Sequence, residues 1–91
     1  MANSASAKKR IRQNEKRRQR NAQVRSRVRT RLNQFRDALK SGDVDKAEEQ
    51  FRVVEAQLDR AVRKGVIPKN RASRKTSRIA KRLNKMRDEA S

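Results

Sequence analysis

The chain has 91 residues and a formal charge of +18, from 28 lysines and arginines against 10 acids, and only 32% of it is hydrophobic. Neither Cys nor His occurs, which excludes disulfides, thiolate chemistry, Cys-bound zinc and the commonest general base and metal ligand. No catalytic residue, metal site or cofactor is expected, and one domain spanning residues 1–91 is the prior at this length.

The charge falls into three blocks. Residues 1–31 carry a net +11, residues 32–62 a net −2, and residues 63–91 a net +9. The sign changes lie near the only glycines and the only proline, in Ser41-Gly42-Asp43 and Gly65-Val66-Ile67-Pro68. A lysine precedes each glycine by one or two residues, as helix C-termini favour, and Asp43 is a natural N-cap. Three helices are expected, over roughly 5–40, 44–64 and 69–88, with no strand pattern and no internal repeat.

In the first segment Val24, Val28, Leu32, Phe35 and Leu39 recur at helical spacing. Before Val24 no apolar stripe exists. At 100° per residue Lys8, Lys9, Arg10, Arg12, Lys16, Arg17, Arg18 and Arg20 surround the axis. A helix that is basic all round suits a groove or junction with phosphate on several sides. A disordered basic tail in the free protein is the other reading, since like charges at this density oppose helix formation. Residues 1–22 are therefore taken as a basic extension and 23–90 as the bundle.

The second segment repeats Val44, Ala47, Phe51, Val54, Leu58 and Ala61/Val62 at threes and fours. Asp45, Glu48, Glu49, Glu55 and Asp59 lie on one flank of that stripe. They are expected to pair with neighbouring basic helices, a protein-docking surface being the alternative. The third segment carries Ala72, Thr76, Ile79, Leu83 and Met86 on one face. Arg71, Arg74, Lys75, Arg78, Lys81, Arg82 and Lys85 fall within about 120° beside it, without an interleaved acid, whereas a merely soluble face mixes signs. Ser73, Thr76 and Ser77 are either phosphate hydrogen-bonders or plain helix surface.

Each helix has one apolar stripe to hide. Short loops make successive helices antiparallel neighbours, so the expected fold is an all-α, antiparallel three-helix bundle with a long basic first helix running past the core. Fifteen side chains are expected to share the core: the stripe residues named above other than the alanines and Thr76, together with Val66 and Ile67.

Arginine outnumbers lysine, and its planar fork binds phosphate with two parallel hydrogen bonds. Phe35 and Phe51 are the only aromatics, so aromatic base stacking of the single-strand kind is unavailable. Backbone and shape recognition of structured RNA is favoured. The rival is a nucleoid-type or zipper-like DNA-binding protein, whose concentration-dependent dimer contrasts with the free monomer expected here. Its heptads would stop at Gly42, short of the three or four a coiled coil needs. A membrane-surface helix is weaker, because segment 8–20 has almost no apolar face beyond Ile11. The absence of a membrane-spanning run or signal-peptide stretch suggests a cytoplasmic protein, or an organelle interior after removal of a targeting segment.

Met1-Ala2-Asn3, Ser6-Ala7-Lys8-Lys9-Arg10, Glu15-Lys16-Arg17-Arg18 and Asn21 follow one another in an order that resembles the S20 family of bacterial small-subunit ribosomal proteins. Arg25-Ser26 with Arg29-Thr30, Ser41-Gly42-Asp43, Lys64-Gly65-Val66-Ile67 and Lys69-Asn70-Arg71-Ala72-Ser73-Arg74-Lys75 extend the resemblance nearly end to end. It implies a three-helix bundle of the small subunit that binds 16S ribosomal RNA and supports its folding and assembly, located in cytoplasmic ribosomes with few or no protein neighbours. It adds Asn21, Arg25, Arg29, Lys69 and Asn70 to the RNA-binding candidates. Pro68 departs from the family, which often has His there; a sharper start to the third helix and one altered local contact are expected.

Overall fold

The computed structural model describes residues 4–90, so Met1-Ala2-Asn3 lie outside the described residues. Three helices make up the fold: α1 (Ala5–Ser41), α2 (Val44–Arg63) and α3 (Lys69–Ala90). Their bounds follow local chemistry. The Ser4 hydroxyl accepts the Ala7 N–H at 3.2 Å, and Asp43 Oδ1 accepts the Lys46 N–H at 3.1 Å. Both satisfy first-turn donors that have no partner within the helix.

α1 ends where Gly42 turns left-handed at φ 76°, its N–H donating to the Leu39 carbonyl. α2 closes with a Schellman pattern. Gly65, at φ 74°, donates to the Val62 carbonyl at 3.0 Å, and Val66 donates to the Ala61 carbonyl at 2.9 Å. Val66 is thereby folded back against the core, where it is buried. Pro68 needs no donor of its own, and its carbonyl accepts the Ala72 N–H at 3.1 Å to open α3.

Cross-helix contacts fix the directions. The Phe35 and Phe51 rings lie 6.3 Å apart, and the Arg87 Nε at the end of α3 donates to Glu48 Oε1 near the start of α2 at 2.7 Å. Each pair joins opposite ends of successive helices, so α2 runs antiparallel to both neighbours. It also occupies the middle: α1 and α3 pack on α2 and hardly meet each other. The protein is accordingly long and thin, 68 × 22 × 14 Å.

The core is Val24, Val28, Leu32 and Phe35 of α1, Val54 and Leu58 of α2, Val66, and Ile79 and Leu83 of α3, joined by four alanines. Ala47 and Ala61 of α2 are at most 1% exposed, as a helix packed on two sides needs small side chains, and Ala38 of α1 is equally covered. That displaces several expected core members. Leu39, Phe51, Val62, Ile67 and Met86 pack only at its edge, and Val44 is likewise half-buried. Phe35, not Phe51, is the large ring that is wholly enclosed.

Candidate nucleic-acid interface

The acidic flank of α2 makes fewer cross-helix pairs than expected. Glu48 meets Arg87 across the α2–α3 contact, whereas Asp59 pairs with Arg63 on its own helix at 3.1 Å. Both are exposed enough to contribute under about 1 kcal/mol each. The bundle's stability thus rests on its apolar stripes rather than on these ion pairs.

The first part of that surface is the α1 extension. With Phe35 opposite Phe51 and a common rise of 1.5 Å per residue, the C-terminus of α2 falls level with about residue 23 of α1. Residues 5–20 therefore project roughly 24 Å beyond the bundle. Lys8, Lys9, Arg10, Arg12, Lys16, Arg17, Arg18 and Arg20 are all exposed. Arg18 is bound to Glu15. Asn21, half-buried, stands where the projecting part joins the bundle.

The second part lies on α3. Arg71, Arg74, Lys75, Arg78, Lys81, Arg82 and Lys85 are exposed while Ala72, Ile79 and Leu83 are buried, so one helix carries a cationic flank and a core face. No acid stands in the first turn of α1 or α3, whereas α2 has Asp45 there. Cations at a helix N-terminus oppose the helix dipole. Lys69 and Arg71 in the first turn of α3 thus cost stability, and of the two Arg71 stands on the cationic face that α3 shares with α1.

Neither helix forms this surface alone. A cleft of about 480 Å³ opens between α1 and the start of α3, with Arg25, Arg29 and Arg36 on one wall and Arg71 and Lys75 on the other. Two segments distant in sequence, residues 25–36 and 71–75, thereby share one cationic face. Arg36 and Asn33 also line this cleft and were absent from the candidates. The signal was present for Arg36, which stands seven residues after Arg29 and so returns to the same side of α1.

Other candidates fall elsewhere. Lys69 lines a groove on the far side of α3, facing Glu55 and Asp59, together with Ser73, Thr76 and Ser77. The Thr76 hydroxyl donates to the Ala72 carbonyl at 3.0 Å. These hydroxyls sit away from the cationic face, so of the two readings plain helix surface is the one their position favours. Asn70 is exposed on the first turn of α3.

The zipper-like alternative fails on packing. Val24, Val28, Leu32 and Phe35, which would have formed its seam, are buried within the chain itself. No described helix is long and apolar enough to cross a membrane.

Fold and surface together define a class: a small all-helical protein with strongly cationic faces, held by an apolar core. The sequence model of the ribosomal protein S20 family matches residues 2–84, and the chain belongs to that family. It is a structural protein, not an enzyme. Among its relatives is the small ribosomal subunit protein bS20 of Corynebacterium diphtheriae, 52% identical over 86 residues, covering 94% of this chain and 99% of the relative. The bS20 proteins of Gluconobacter oxydans and Thermobifida fusca are each 51% identical, covering 91% and 94% of this chain and 93% and 94% of their own lengths.

Proposed function

We propose that the protein is a structural constituent of the small ribosomal subunit that binds 16S ribosomal RNA directly and supports its folding and assembly. The observation that carries this reading is the cationic face shared by α1 and α3. Arg25, Arg29 and Arg36 stand across one cleft from Arg71 and Lys75, and the rest of the α3 basic flank continues it. The projecting part of α1 adds cations on all sides, suited to a site where RNA backbones converge. The expected RNA contacts are Lys8, Lys9, Arg10, Arg12, Lys16, Arg17, Arg18 and Arg20, with Asn21, Arg25, Arg29, Asn70 and the seven α3 cations. Of the residues first considered, Lys69 is the least suited, since it faces Glu55 and Asp59.

The free protein is a monomer in this reading, because its apolar stripes are covered within one chain. Its place is the cytoplasmic ribosome, with RNA as its main neighbour. Co-sedimentation with small subunits from a cell lysate, followed by binding of the purified protein to 16S RNA, tests the reading. Failure to sediment with the subunit and equal affinity for duplex DNA would overturn it.

A further inference from the structure

The cleft between α1 and α3 has a feature that phosphate binding alone does not require. Beneath its cationic rim lies an apolar floor made by Val28, Leu32, Val66 and Ile67. The first three are at most 7% exposed, and Ile67 packs at the core's edge. A duplex backbone resting on the rim would present charged phosphates and leave this floor empty. A base presents a flat, weakly hydrated face that such a floor can cover.

We propose that this cleft holds one unpaired nucleotide of the bound RNA, with its base against the apolar floor and its flanking phosphates on the rim. The inference rests on the RNA-binding reading above and names what that same site takes. The volume, about 480 Å³, lies in the range of small-ligand sites. No acid lines the cleft, so five cations share it uncompensated, as expected where more than one phosphate is bound. Arginine guanidinium planes stack on unpaired bases as aromatic rings do, which supplies stacking to a chain with no exposed aromatic cluster.

Asn33 completes the site. Every other polar side chain lining the cleft is an arginine or lysine, which can only donate hydrogen bonds. The Asn33 carboxamide both donates and accepts, the combination needed to read a base edge, and that pairing fits adenine best. Asn33 is exposed on α1, so it is free to turn towards a bound base.

The test uses the full-length protein with a photoreactive diazirine side chain at Ile67, irradiated on 16S ribosomal RNA. Reverse-transcription stops map the contact, and filter binding of the same protein is measured in parallel. One dominant stop at an unpaired nucleotide is expected. Deleting that nucleotide should weaken binding of the unaltered protein about tenfold. With Asn33→Leu the two RNAs should be bound more nearly alike. Stops spread over paired nucleotides would overturn the proposal and leave a phosphate clamp. RNA bound without any crosslink would overturn it too, since the cleft would then face away or hold something else, such as an acidic peptide. Absence of RNA binding in the parallel measurement would instead remove the functional reading, and this proposal with it.

Discussion

The Phe35 and Phe51 rings meet at 6.3 Å with their planes tilted by 55° across the α1–α2 contact, yet they are not equivalent. Phe35 is 0% exposed, and Phe51 is half-buried at the edge of the core. The tilted contact favours an edge of one ring over the face of the other, and it pins the register of the two helices.

Phe35→Ala should consequently be the more damaging substitution, costing about 3–5 kcal/mol against roughly 2 kcal/mol for Phe51→Ala. So small a domain has little stability to lose. Thermal melts followed by circular dichroism should show the first variant largely unfolded at room temperature and the second folded with a lowered Tm. Equal losses would mean that the two rings are equally enclosed.

Deleting residues 1–20 separates the projecting part of α1 from the bundle. Residues 8–20 are exposed throughout, so the shortened protein should stay helical and monomeric, with a nearly unchanged melt. Its RNA binding should be much weaker. If about ten phosphates are neutralised by the full chain, log affinity should fall with log salt at a slope of roughly −7 to −9. The shortened chain should give a visibly shallower slope. Unchanged affinity would show that the projecting helix is not an RNA anchor.

On α3, Arg74→Glu combined with Arg78→Glu reverses two exposed cations that are not core members. Helix content should be unaffected, while affinity for 16S RNA at physiological salt falls by at least about tenfold. Binding that survives the double reversal would place the RNA on another face.

Gly65 tests the connector that shapes the cleft. Its left-handed φ of 74° suits glycine, and an added Cβ would meet no atom within 4 Å. Gly65→Ala should therefore cost only the backbone penalty, about 1 kcal/mol, which lowers the Tm by roughly 4–8 °C in a domain of this size. A much larger loss would indicate a steric constraint at this turn, and no loss would indicate that the turn tolerates another conformation.

Much of this protein is written in its sequence because its signals are local. Helix bounds depend on residues within one turn: Ser4 and Asp43 as caps, Gly42 and Gly65 as left-handed stops, and Pro68 ahead of α3. The separation of basic flank from apolar stripe on α3 needs only helical periodicity, and the sign of each charge block needs only counting. What the stripes could not reveal is which residues lie where backbones come closest. Phe35 is enclosed and Phe51 is not, and Ala38, Ala47, Ala61 and Ala72 are buried although the expected core counted only larger side chains. Nor could periodicity foresee the cleft. Arg36 and Asn33 face Arg71 and Lys75 only because α1 and α3 flank α2 with a gap between them, and that spacing belongs to the packing of three helices rather than to any one.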